Sequence, residues 1–115
     1  EPASLLQGNE WSPHLIQGWT PDFVPGVLNA EVADQIVPVN QDVAKATSLE
    51  LAQSEGIFVG VSAGATLAAG IEVARGAEAG TVMLVMLPDT AERYLSTFLF
   101  ADINEGSDDD WLETL

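Results

Sequence analysis

The chain has 115 residues, of which 18 are acidic and 3 basic, giving a formal charge of −15 and a sequence pI near 4.1. At 47% hydrophobic residues it lies outside the low-hydrophobicity, high-charge regime of disordered chains. Its whole basic complement is Lys45, Arg75 and Arg93, too little to neutralise nucleic acid or to hold an anionic membrane surface.

Cysteine is absent, which removes disulfides, thiol nucleophiles and Cys-ligated zinc. No apolar run approaches the roughly 18 residues that cross a bilayer. The chain opens on Glu1 with no signal peptide, so a processed or truncated chain is expected. Length allows one domain that buries about two-thirds of its unfolded surface. The charge exceeds what solubility needs, and self-repulsion at low salt opposes compaction. A Debye length of about 3 Å at 1 M salt removes most of that penalty. The lysine-poor composition therefore points to a saline setting, with an ordinary acidic bacterial protein as the alternative.

In chain order, Glu1–Gly8 ends at the turn signal Gly8-Asn9. His14–Gln17 is a short strand candidate stopped by Gly18, and Pro21, Pro25 and Gly26 make the following stretch a loop. Gln35–Val39 reads as a strand. Asn40 caps a predicted helix over Gln41–Glu55, ended by Gly56. Its Val43, Ala46, Leu49 and Ala52 repeat every third residue, and Lys45 falls on the opposite, wet face. Ile57–Val61 is a predicted strand and Ser62-Ala63-Gly64 a turn. Ala65–Arg75 is a second, well-buried helix of small apolar residues. Thr81–Leu87 is a continuous apolar run, the pattern of a strand covered on both faces. Pro88-Asp89 ends it, and Ala91–Phe98 is a short helix. This alternation predicts an α/β fold with a partial parallel sheet flanked by helices over residues 1–100. Residues 101–115 form an acidic tail, frayed or helical, with Trp111, Leu112 and Leu115 at helical spacing.

Open α/β sheets bind ligands beyond the carboxyl ends of their strands, which singles out Ser62 and Asp89, with Gly18 behind another short strand. Gly60-Val61-Ser62-Ala63-Gly64 matches G-x-S-x-G between a strand and a helix, the context of a nucleophile elbow. One reading is therefore a serine hydrolase with Ser62 as nucleophile and Asp89 as the acid. It lacks a base, because the sole histidine, His14, precedes both, whereas that fold places it after the acid. A serine at such a turn also caps a helix through its hydroxyl. A further reading keeps the geometry without the attack: the hydroxyl exchanges a hydrogen bond with a ring nitrogen of a bound heterocycle, and the flanking glycines leave room for a flat ligand. His14 has no partner ligand for a metal. Asp108-Asp109-Asp110 lacks the spacing of a calcium loop and reads as a solvated acidic run.

Four segments carry a resemblance. They are Glu1-Pro2 with Ser4 and Gly8; His14-Leu15-Ile16-Gln17-Gly18 followed by Phe23-Val24-Pro25; Gly60-Val61-Ser62-Ala63-Gly64-Ala65; and Pro88-Asp89-Thr90-Ala91-Glu92-Arg93-Tyr94-Leu95-Ser96-Thr97. Taken in order, they resemble the C-terminal part of cysteine synthases (O-acetylserine sulfhydrylases), pyridoxal-phosphate enzymes of the tryptophan synthase β-like fold, type II. Cystathionine β-synthases share the Ser-Ala-Gly turn but usually lack a block like Glu92–Thr97. One departure is Trp19-Thr20-Pro21-Asp22, where the family commonly has Ile-Gly-Ala-Gly.

The resemblance implies that Ser62 hydrogen-bonds the pyridine nitrogen of pyridoxal phosphate and leaves it largely unprotonated. The ring is then a weaker electron sink, suited to eliminating acetate from O-acetylserine before sulfide adds. It implies Gly18 beside the cofactor and the substrate's amino end, with Pro88 and Asp89 also in the cofactor wall. It further implies a cytoplasmic homodimer and, as for many family members, a docking serine acetyltransferase. The family's Schiff-base lysine, substrate-carboxylate loop and phosphate loop have no counterpart here, and Lys45 matches no catalytic position. The expectation is a C-terminal fragment that is inactive alone. A non-catalytic fragment that self-associates through sheet edges is the remaining alternative.

Overall fold

Asn40 holds extended backbone (φ −76°, ψ 142°), and its side-chain oxygen accepts from the Asp42 amide at 2.7 Å. That opens α1 (Gln41–Glu55) where the sequence predicts it. Gly56, in left-handed backbone at φ 69°, closes it as the N–H groups of Gly56 and Ile57 reach back to Ala52 and Leu51. These elements belong to a computed structural model that describes residues 5–16, 18–103, 106 and 112–113. The second helix, α2 (Val61–Arg75), ends as expected but starts four residues earlier than predicted. Ser62 therefore lies inside its first turn. Gly60 is the N-cap, with no side-chain cap bond, so the capping role expected of Ser62 is not taken.

The two helices meet through small residues. A Cβ on Gly64 would lie 2.1 Å from the Ala44 carbonyl oxygen and 2.9 Å from the Ser48 Cβ. The buried residues of α1 are consequently Ala44 and Ser48, not the three-residue repeat read from the sequence; Val43 is half exposed. A spacing of three drifts around a helix of 3.6 residues per turn, and close approach of α2 selects the smallest side chains. Ser48 satisfies its buried hydroxyl by donating to the Val59 carbonyl at 2.7 Å. Ile16, Ala44, Val61, Ala65 and Leu99 form the core cluster. Lys45 is not on a wet face: its side chain is 20% exposed, pairs with Asp102 at 2.5 Å and lies 5.9 Å from the centre of the Phe98 ring.

The expected parallel sheet is not formed among the described residues. Segments 14–16 and 35–39 join no ladder. The one strand-like pairing among the described residues is an isolated antiparallel bridge, Val59 to Thr90, flanked by Gly60 N–H to the Asp89 carbonyl and Ala91 N–H to the Phe58 carbonyl, both at 3.3 Å. A strand persists through a neighbour about 4.8 Å away, and the apolar runs lack one here. Residues 82–87 nonetheless keep a strand's alternation. Val82 and Leu84 are more than nine-tenths exposed and Met86 two-thirds, whereas Val85 fills the space beside Gly70 and Thr66 donates to the Met86 carbonyl. One face of this run lies on α2; the expected cover on the other is absent.

The short helix expected over Ala91–Phe98 contracts to a 3-10 turn, Ala91–Tyr94, followed by successive turns. Burial of α2 is confined to Val61–Ala65. Most of the acidic tail, with Asp108–Asp110, Trp111 and Leu115, lies outside the described residues. Among the described residues no helix is long and apolar enough to cross a membrane.

Candidate functional site

Two backbone segments converge on Ser62. The first, 57–60, feeds α2; the second, 88–91, is tied to it by the Val59–Thr90 bridge. This pairing brings the Ser62 hydroxyl to the Asp89 carboxylate, where it donates to Oδ1 at 3.3 Å. Tyr94, one turn further on, donates its phenol to Oδ2 of the same carboxylate. That bond is the main cause holding the phenol above its ordinary ionisation range; desolvation and the Asp89 charge add to it, and Arg93 opposes it. Ser62 is buried at 6% exposure, and its oxygen faces the Asp89 side chain rather than either cavity described below.

Of the four sequence-predicted cofactor residues, Ser62 and Asp89 are therefore brought together. Pro88 precedes Asp89 and is exposed. Gly18 stands elsewhere, in the wall of an open cavity with Trp11, His14, Trp19 and Thr20. A neighbouring cavity of about 260 Å³ runs from His14 and Trp19 to the Val39–Asp42 start of α1. Thr20 carries the one positive φ of a non-glycine among the described residues, 34°, a costly conformation for a β-branched side chain. Trp11 Nε1 donates to its carbonyl at 2.8 Å, and its hydroxyl meets His14 Nε2 at 2.6 Å. Sequence reasoning missed both Tyr94 and this cavity. The signal for Tyr94 was available, five residues after Asp89 in a chain segment that turns back on itself.

The hydrolase alternative finds no base. His14 is engaged with Thr20, and Ser62 donates directly to a carboxylate with no imidazole between them. Among the described residues no group of three or more His, Asp or Glu side chains is gathered as a metal site.

No family model matches the chain. Individual proteins do. It is 57% identical over 113 residues to the O-ureido-L-serine synthase of Streptomyces lavendulae, covering 98% of this chain and 35% of that protein. It is 41% identical over 101 residues to a cysteine synthase of Staphylococcus aureus, covering 88% of this chain and 33% of that one. A crystal structure of O-ureido-L-serine synthase superposes with a TM-score of 0.85 at 54% identity, over 97% of this chain and 36% of that one. The cysteine synthase of Entamoeba histolytica superposes at 0.81 with 30% identity, over 97% and 33%. These matches define the class as the pyridoxal-phosphate enzymes of fold type II. Within that class the chain is a homologue of O-ureido-L-serine synthase and of the cysteine synthases, and it spans about a third of the length of the curated relatives it matches.

Proposed function

We propose that the chain supplies the ring-nitrogen wall of the cofactor site in an enzyme of β-replacement, in which sulfide displaces acetate from O-acetylserine to give cysteine. The observation that carries this reading is the 57% and 41% identity to O-ureido-L-serine synthase and cysteine synthase across nearly the whole chain, Ser62 at the start of α2 included. The residues present do not by themselves form an opening for the pyridoxal phosphate ring, because Ser62 is buried against Asp89 and lines neither cavity. A neutral hydroxyl that donates once keeps lone pairs for a further partner. The aldehyde and phosphate ends have no counterpart here, since Lys45 is held by Asp102 and the sequence contains no glycine-rich anion loop. When bound, the cofactor supplies the electron sink, and the protein orients and tunes it. Ser62 holds the ring edge in this proposal, Pro88 and Asp89 border it, and Gly18 borders the substrate. A homodimeric, cytoplasmic enzyme that docks a serine acetyltransferase belongs to the same proposal.

A second product is favoured by a specific observation. Identity to the O-ureido-L-serine synthase is higher and longer than to the cysteine synthases, and the loop Trp19–Asp22 departs from the common cysteine synthase pattern. Both products test in one chimera, in which this chain replaces the matching third of the Staphylococcus aureus cysteine synthase. Cysteine formed from O-acetylserine and sulfide, reduced at least tenfold by Ser62→Ala, is the expected result. O-ureido-L-serine formation with little cysteine selects the second product. A folded, cofactor-loaded chimera indifferent to Ser62→Ala contradicts the reading.

A further inference from the structure

His14 carries the one buried side-chain nitrogen or oxygen among the described residues that lacks a hydrogen-bond partner, its Nδ1. An unpaired buried polar atom is costly, so such an exception calls for a physical reason. The other ring nitrogen is doubly engaged by Thr20. Nε2 stands 3.2 Å from the Thr20 carbonyl oxygen and 2.6 Å from the Thr20 hydroxyl. A carbonyl only accepts, so it favours the hydrogen on Nε2 and leaves Nδ1 as a bare lone pair in the neutral ring. Thr20 holds this place at φ 34°, in backbone that suits glycine, and glycine is what the resembling family commonly has there. The residue that strains the chain is thus the one that fixes the imidazole.

His14 lines the cavity of about 260 Å³ that runs to the start of α1, and Ile16, Trp19, Ile36 and Val39 are among its apolar walls. A dry cavity of about 150 Å³ already admits benzene, so a single substituted ring fits this one. The polar side chains where α1 begins are satisfied: Asn40 Oδ1 accepts from the Asp42 amide at 2.7 Å, and Gln41 Oε1 from the Leu15 amide at 3.1 Å. None of the chain's three basic residues lines the cavity, whereas Asp42 does, so an anion finds no countercharge there. We propose that this cavity binds a small neutral aromatic compound bearing one O–H or N–H, which donates to His14 Nδ1 while its ring packs against Trp19. The site goes beyond the β-replacement reading and uses neither Ser62 nor the cofactor.

His14 is the chain's sole histidine, so its ring nitrogens give unambiguous signals in the 15N spectrum of the full chain. Phenol is the probe, with anisole as the matching ring that has no hydrogen to donate and benzoate as the anion. In the free chain Nδ1 should resonate as a nitrogen without hydrogen, and phenol should move that signal saturably. Anisole should bind about tenfold more weakly, the loss of one hydrogen bond to a buried acceptor. Benzoate should leave the signal unmoved. Thr20→Gly removes the fixing hydroxyl while suiting the backbone, and circular dichroism confirms that the helices remain. It should weaken phenol severalfold and leave anisole unchanged. A hydrogen found on Nδ1 in the free chain overturns the proposal. So do equal affinities for phenol and anisole, benzoate binding as tight as that of phenol, or a phenol affinity indifferent to Thr20→Gly. No saturable response to phenol overturns the site altogether.

Discussion

At the scale of single residues, the chemistry of this chain is concentrated in hydroxyls placed against fixed acceptors. Ser48 and Ser62 are its two buried polar residues among those described, and each donates across the gap between two segments. The Tyr94 phenol gives this a pH signature. Its ionisation is raised in the folded chain, first by the bond to Asp89. A group raised in this way contributes stability that is whole below its unfolded value, about pH 10, and is lost as pH climbs through the folded value. Above pH 10 the unfolded chain gives up the proton first, so the native state binds more protons there and stability falls. Thermal melting from pH 9 to 11.5 should show a steeper alkaline decline in wild type than in Asp89→Asn. Equal slopes would mean that the phenol is not coupled to the carboxylate. Thr20, held at positive φ by Trp11 and His14, is the other residue whose geometry exceeds what local preference supplies.

Among elements, α1 was legible to its last residue because both its ends are local chemistry: Asn40 accepting two residues ahead and Gly56 turning left-handed. The start of α2 was not, since Ile57–Val61 is apolar and β-branched enough to satisfy a strand pattern, and the serine at 62 imitated a cap while its hydroxyl went to Asp89. Strand pairing is non-local, so no pattern within 14–17, 35–39 or 81–87 could reveal whether a neighbour is present. Ser62 and Asp89 stood in the sequence as two separate candidates at the ends of predicted strands; what brings them together is the isolated antiparallel bridge from Val59 to Thr90 rather than the expected parallel sheet. The helix contact makes the sharpest prediction at this scale. Gly64→Ala places a methyl group against the Ala44 main chain, which cannot swing aside as a side chain can, and should cost about 1–3 kcal/mol or more. Denaturant unfolding measures it; a loss under about 0.5 kcal/mol would show that α1 and α2 are not in close contact.

The whole molecule is larger than its sequence length suggests. Its accessible surface is 8479 Å², against about 6,000 Å² for a compact monomer of this mass. Its radius of gyration is 17.2 Å, against about 13 Å for a compact domain of roughly 100 residues. Much of the exposed surface is apolar, from Val27 and Val32 to Val82 and Leu84. A chain of charge −15 with so thin a core stands to gain from screening. Its melting temperature should rise between 50 mM and 2 M sodium chloride; no rise would mean that self-repulsion is not limiting.

The account turns on whether the cofactor's ring meets the start of α2. Pyridoxal phosphate titrated into the 15N-labelled chain, followed by amide NMR, reads this residue by residue. Saturable shifts centred on Val61–Gly64 and Asp89–Ala91, abolished by Ser62→Ala, are the result predicted. Shifts confined to the His14–Thr20 cavity or to Lys45, with the Ser62 amide unmoved, would contradict it.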